Sequence, residues 1–370
     1  MALVRTLRDQ FDWPLFVALA SVATIGIVNL YSATSANAAL SEMYIQQMYW
    51  LALGTCAAAL VTAIDYRHYE RNAWVLYGAS VVMLVLVFVI GEAIRNTHRW
   101  IQFGSFTMQP SEFSKLGLIL ALAKYLHHDP KSDGRTLRDL VIPALILAAP
   151  MILIAAQPDL GTALMHAFIF ASIMVLTNLK LRSLVTLGLS LASFGLVAWR
   201  FLLIGYQRGR LETYWALLVG DNPDIQGDAW HAYQSLVAIG NGGFTGRGFL
   251  RSTQNQFLFL PDQYSDFPFP VWAEEQGLLG GLLVIGLYLF IVLWGLRIAS
   301  QAKDRFGAVV AVGVSALIFW HAVINIAMVT ALLPVVGMPL PLFSYGGSSV
   351  LTILLGIGLL MNVSMRRFTF

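Results

Sequence analysis

Lys115 is the residue that most needs explaining. It stands three positions after Glu112 in HRWIQFGSFTMQPSEFSK, residues 98–115, so on a helix the two share a face. The apolar run that follows, 116–123, is too short to cross a bilayer unless Lys115 and the polar turn before it also enter. A lysine inside hydrocarbon is costly and usually functional. The plainer reading is a helix start, with Ser111 after Pro110 as its N-cap and a local ion pair. Three other segments pose the same choice. In AAQPDLGT, residues 155–162, Asp159 is either the N-cap of a helix or a carboxylate facing the same cavity as Lys115. In STQNQFLFLPDQYSDFPFPVWAEEQG, residues 252–277, Asp262 and Asp266 precede a helix that carries Glu274 and Glu275, with Pro268 in its first turn. Asp266 is there either a cap or a reacting group. In PVVGMPLPLFSYGGSS, residues 334–349, Pro and Gly describe a rigid re-entrant turn that offers the hydroxyls of Ser344, Tyr345, Ser348 and Ser349. His321 and Asn325, four residues apart, share a helix face and read as a buried helix–helix hydrogen bond. Carboxylates paired with cations suit a phosphate-bearing substrate and a proton to be removed.

The elements that position these groups follow from composition. Of 370 residues, 58% are hydrophobic and only 12% are charged, about half the charge of a soluble domain. That excludes a cytosolic enzyme, a nucleic-acid-binding module and a disordered chain. The apolar residues form long unbroken runs rather than alternating segments of about ten, which excludes a β-barrel. The lone Cys56 lies in an apolar run, so disulfides and Cys-based metal sites are out. Charge-poor runs at 14–41, 44–64, 72–91, 116–123, 140–157, 160–179, 183–199 and 277–296, with two more in 306–365 split by 334–341, predict ten helices and both termini on one side. The first run follows Arg5 and Arg8 and is expected to be a retained helix rather than a cleaved signal, because it is long and other spans follow.

Fifteen of the 23 Lys and Arg residues fall in one set of loops, among them Arg67, Arg71, Lys180, Arg182, Arg366 and Arg367. Seven fall in the other: Arg95, Arg99, Arg200, Arg208, Arg210, Arg247 and Arg251. The positive-inside rule makes the first set cytoplasmic and puts all four segments on the extracytoplasmic side. The chain then reads as a single transmembrane domain over 1–370 with one large outer loop, 205–270. Within that loop, 230–239 is expected to form a short amphipathic helix on the membrane surface. The Gly-rich stretch 240–248 reads as a flexible turn or as backbone that approaches a phosphate; it lacks the order of a P-loop. The uncharged run 277–296 suffices to cross, so the turns bearing Glu274 and Glu275 are expected at the outer interface, in reach of water and headgroups.

The motifs HRW…QPSEFSK, AAQPDLGT, GRGFLRSTQNQ…FLP…SDF…AEEQG and PLPLFSYGGSS occur in this order from about Trp13 to Arg367. In them the chain resembles the SEDS family (shape, elongation, division and sporulation), and STQNQFLFLP favours its elongation branch. The resemblance implies a ten-helix fold of the membrane-embedded GT-C-like type. It implies a peptidoglycan glycosyltransferase of the plasma membrane that polymerises lipid II at the outer face. The implied partners are a class B penicillin-binding transpeptidase and other elongation-complex membrane proteins, with no nucleic acid. It places the essential aspartate at Asp266, the Glu/Lys pair at Glu112 and Lys115, and the aspartate of the QPD turn at Asp159. Arg99, Trp100, Arg208, Arg210, Arg247, Asp262 and Glu275 complete the expected substrate-binding set.

The chain departs from the family pattern at Asp262, where Glu is usual, at Tyr264 and Ser265, where His and Thr are usual, and at Pro268 and Pro270. The chemistry fits the residues. A carboxylate takes the proton of the attacking sugar hydroxyl, and cations stabilise the departing pyrophosphate. A divalent cation such as Mg2+ held by carboxylates is compatible with this chemistry, but no ligand spacing demonstrates one. The alternative is a lipid II flippase. That would need polar residues down the whole bundle, and below the outer third the spans are nearly uncharged.

Overall fold

The computed structural model describes residues 10–94, 97–103, 106–129, 134–175 and 229–367, with scattered positions between 177 and 219. The helices are α1 (Trp13–Thr34), α2 (Met43–Ala63), α3 (Tyr66–Ile90), α4 (Pro110–His128), α5 (Val141–Ala156), α6 (Leu160–Val175), α7 (Trp230–Gly242), the single turn α8 (Thr253–Gln256), α9 (Pro268–Ser300), α10 (Arg305–Val329) and α11 (Gly347–Arg366). Three short strands between α3 and α4, namely β1 (Glu92–Ile94), β2 (Thr97–Phe103) and β3 (Phe106–Met108), form an antiparallel meander.

Among the described residues, six helices are long and apolar enough to cross a membrane: α1, α3, the stretch Leu137–Ala156 that contains α5, α9, α10 and α11. α6 is a shorter apolar helix. α2 and α4 have 21 and 19 residues, enough for about 30 Å at 1.5 Å per residue, but they carry more polar side chains. The expected span at 183–199 lies almost entirely outside the described residues. The chain is a multi-pass membrane protein.

The helices are layered by burial. α11 and α10 are 89% and 78% buried over their most apolar stretches, against 22% for α3 and 28% for Leu137–Ala156. α10 packs on α4, α6 and α9, and α11 packs on α2. The outer helices turn Val, Leu and Phe outward, as at Val75, Val89, Leu145, Leu282 and Leu293, which suits a lipid surface and not water.

α9 is broken at Gly277, whose φ of +66° lies in the left-handed region. A Cβ there would stand 2.3 Å from the Gly246 nitrogen, so only glycine fits. The break frees backbone groups on both sides, and the Gly-rich stretch satisfies them. Arg247 and Gly248 N–H donate to the Glu274 and Glu275 carbonyls at 3.0 Å each, and Leu278 N–H donates to Gly243 O at 2.9 Å. The stretch 240–248 is therefore a fixed clamp on α9, not the flexible turn expected from its glycines. The expected helix over 230–239 is present as α7, one turn longer, and it packs against α9 and α10.

Candidate functional site

Alternating up-and-down helices bring all four polar segments to one end of the bundle. The 334–346 segment is the hub. Its three prolines, Pro334, Pro339 and Pro341, lack N–H groups, so a regular backbone ladder cannot form there. Its carbonyls are taken instead by buried side chains from three helices. Asn325 Nδ2 on α10 donates to Met338 O at 2.6 Å, and Tyr288 Oη on α9 donates to Pro341 O at 2.6 Å. Gln47 Nε2 on α2 donates to Ser344 O at 2.9 Å. His321 Nδ1 on α10 lies 3.2 Å from Pro339 O. Each uncapped carbonyl left in a dry interior would cost about 1–3 kcal/mol, which explains polar side chains in otherwise apolar helices.

Lys115 is completely buried and Glu112 is 4% exposed. They pair at 2.7 Å on α4, and Lys115 Nζ also lies 2.9 Å from His321 Nε2. The other oxygen of Glu112, Oε2, has no partner among the described residues, and neither has Ser111 Oγ. Ser111 is not the N-cap: α4 starts at Pro110 with Gln109 as N-cap and no side-chain capping bond. Pro at the first helical position has no N–H to cap, so the start moves two residues earlier than expected.

Asp159 does cap α6, accepting from Thr162 N at 3.3 Å and Thr162 Oγ1 at 3.0 Å. It also receives Gln109 Nε2 at 3.2 Å and lies 3.8 Å from an Arg99 nitrogen. Arg99 Nε donates to Gln157 O at 2.9 Å, and a second Arg99 nitrogen donates to Pro158 O. Trp100, beside it on β2, is half-buried. Gln109 N–H donates in turn to Ser348 Oγ at the start of α11. Gln109 thus joins the first, second and fourth segments. His166, one turn beyond Thr162, meets Ser114 Oγ at 2.8 Å, tying α6 to α4 one residue from Lys115.

Asp266 is half-buried. It does not cap α9: the N-cap is Phe267, without a side-chain capping bond. Its position is set from three sides. The carbonyl of Asp262, a residue with φ +49°, accepts from the N–H groups of Ser265, Asp266 and Phe267. Asp tolerates this left-handed backbone better than most residues. Asn325 Nδ2 donates to Asp266 O at 2.9 Å. The carboxylate lies beside Gly337, where a Cβ would be in ordinary van der Waals contact with Oδ2 at 3.4 Å and where the φ of +71° favours glycine. The Tyr264 carbonyl accepts from Tyr345 N–H at 2.9 Å, which stitches the third segment to the hub. On the far side, Asn29 Nδ2 of α1 donates to Pro268 O at 2.9 Å, and Gln263 Nε2 donates to Ala33 O at 2.7 Å.

Several expectations need correcting. Glu274 and Glu275 do not stand in water: they are 0% and 1% exposed. Glu274 accepts from Ser252 Oγ (2.5 Å), Thr253 Oγ1 (2.6 Å), Thr253 N (3.1 Å) and Gln254 N (3.3 Å). Glu275 accepts from Ser32 Oγ on α1. Arg247 turns toward Glu274 at 3.9 Å and bonds Asn241 O. Asn325 reaches two main-chain carbonyls rather than another helix. Arg208 and Arg210 lie outside the described residues. Among those described, no group of three His, Cys, Asp or Glu side chains converges as a metal site would require. Asn29, Gln47, Gln109 and His166 escaped attention, although a polar residue inside an apolar run was the very signal that marked Lys115.

The family described as cell cycle protein, FtsW/RodA/SpoVE, matches residues 12–368. The chain belongs to that family. It is 36% identical over 360 residues to the peptidoglycan glycosyltransferase MrdB of Escherichia coli K12, covering 97% of this chain and 95% of that one. It is 30% identical to the peptidoglycan glycosyltransferase RodA of Treponema pallidum, covering 97% and 98%. Among solved structures, a chain from a peptidoglycan synthase complex that coordinates polymerization and crosslinking superposes with a TM-score of 0.83 at 31% identity, covering 97% and 99%. The rod shape determining protein RodA of Thermus thermophilus superposes with a TM-score of 0.72 at 29% identity, covering 97% and 98%. The family and its elongation-type relatives are those expected from the motifs.

Proposed function

We propose that this chain is a peptidoglycan glycosyltransferase that polymerises lipid II at the outer face of the plasma membrane during cell elongation and shape maintenance. The observation that carries the reading is the placement of Asp266. In a member of this family, the half-buried Asp266 has its backbone fixed by the Asp262 carbonyl and by Asn325, with its carboxylate beside Gly337, at the same end of the bundle as the buried Glu112–Lys115 pair. Asp266 takes the proton from the acceptor sugar hydroxyl as that oxygen attacks the anomeric carbon of the donor. The bond from that carbon to the polyprenyl pyrophosphate breaks, and the pyrophosphate leaves with the bonding electrons. Lys115, its position fixed by Glu112, stabilises the departing charge. Arg99 orients the QPD turn through the Gln157 and Pro158 carbonyls. The fold is of the GT-C-like, ten-span type with both termini cytoplasmic, and the partner is a class B penicillin-binding transpeptidase.

Asp266→Asn tests the base. Asn keeps the shape but cannot take the proton, so polymerisation of lipid II by the purified variant should fall about 10²- to 10⁴-fold with folding intact. A rate near wild type would make Asp266 a structural residue. Sidedness is checked independently by reporter fusions. Those after Lys131 and Lys303 should report cytoplasm, and one within 226–248 should report the exterior; a swap would put the site in the wrong compartment.

A further inference from the structure

His321 and Asn325 stand one turn apart on the face of α10 that meets the hub, both fully buried. The bonding of His321 fixes its tautomer. A carbonyl only accepts, so Nδ1, 3.2 Å from Pro339 O, carries the ring proton. An ammonium only donates, so Nε2, 2.9 Å from Lys115 Nζ, receives a proton from Lys115. Asn325 works the same way one turn along. Its single amide nitrogen donates to Met338 O and to Asp266 O, at 2.6 and 2.9 Å. Two consecutive carbonyls, Met338 and Pro339, therefore anchor the two side chains that hold the Lys115 ammonium and the Asp266 backbone.

Lys115 needs such an anchor. Its ammonium sits on a flexible four-carbon stem that carries about 2 kcal/mol of rotamer entropy, and Glu112 alone, from the same helix, fixes one direction only. Among the described residues, two of the three ammonium donors are engaged, by Glu112 Oε1 and His321 Nε2. The third is left for an anionic oxygen. We propose that His321 and Asn325 are positioning residues for glycosyl transfer: together with the 338–339 backbone they set the Lys115 ammonium and the Asp266 carboxylate at a fixed separation across the site. The proposal rests on the reading of Asp266 and Lys115 given above.

The test uses the full-length purified protein in vesicles with lipid II as substrate, and reads kcat, KM and melting temperature. His321→Gln keeps an acceptor for Lys115 but loses the bond to Pro339. His321→Leu loses both, and Asn325→Leu frees the Asp266 backbone. A misplacement of about 1 Å costs roughly 10²-fold, so His321→Leu and Asn325→Leu should each lower kcat about 100-fold with KM within about 3-fold of wild type. His321→Gln should recover about 10-fold of that loss while melting with the Leu variant. The double Leu variant should be little worse than either single one, because residues that act as a unit are not additive. Equal losses for Gln and Leu in step with melting temperature, or Leu variants as active as a polymerising wild type, overturn this proposal alone. A wild type that forms no glycan overturns the glycosyl-transfer reading and this proposal with it.

Discussion

Glu112 and Glu274 are both carboxylates buried in the same end of the same bundle, and they are treated in opposite ways. Glu274 is saturated: two hydroxyls and two backbone N–H groups converge on it from 252–254, and Arg247 lies beyond. It locks the 252–254 turn onto α9. Glu112 holds one partner, Lys115, and keeps Oε2 bare among the described residues at 4% exposure. A buried charge with every lone pair satisfied by its own chain is a structural device. One left half-satisfied loses stability locally, and that loss is repaid only when something binds or moves. The 3.9 Å Arg247–Glu274 contact and the 2.7 Å Lys115–Glu112 contact differ in the same sense. The cation of the first is 40% exposed at its side chain and adds little, as half-solvated pairs do. The cation of the second is dry.

The comparison breaks most visibly at the pair itself. Lys115→Met leaves Glu112 charged and alone in a dry interior, which should cost about 3–5 kcal/mol and at least about 10²-fold in polymerisation, the scale of losing one stabiliser of developing charge. Adding Glu112→Gln should return most of the stability without returning the activity. A thermal-shift series beside a polymerisation assay checks both. If stability losses add and activity tracks stability, the pair is structural like Glu274, and the contrast between the two carboxylates disappears.

How much of this could be read without coordinates depends on the range of the partner. Lys115 and Glu112 were legible because they lie three residues apart and the apolar run after them is too short. The cap at Asp159 was legible because its partner Thr162 is equally near. The start of α9 at Pro268 was legible from proline's fixed φ and missing N–H. The 334–346 segment was not. Its carbonyls are satisfied from Gln47, Tyr288, His321 and Asn325, and nothing local to a Pro-rich stretch says which distant helix will supply a donor. Glu274 was misplaced for a related reason. The run 277–296 is long enough to cross, which left the preceding turns to the interface. The break at Gly277 lets those turns fold back into protein instead.

Glu274→Gln is the smaller perturbation, and it tests the other half of the contrast. Gln keeps the shape and one acceptor oxygen. Its amide nitrogen now faces groups that can only donate, the N–H of Thr253 or Gln254, so one backbone donor loses its partner. Bonds to a charged acceptor are worth about 1.5–3 kcal/mol each, and a net cost of about 2–3 kcal/mol in unfolding stability is expected. The 252–254 turn should loosen with it, and the Arg247 and Gly248 N–H groups that bond the Glu274 and Glu275 carbonyls should exchange with solvent faster. Polymerisation per folded molecule should stay within about 3-fold of wild type, because none of the Glu274 contacts reaches Lys115, Asp159 or Asp266. Hydrogen exchange of the loop alongside turnover at a temperature well below melting separates the two effects. A rate collapse without faster exchange would mean that Glu274 meets substrate, and that saturation by its own chain does not mark a carboxylate as structural.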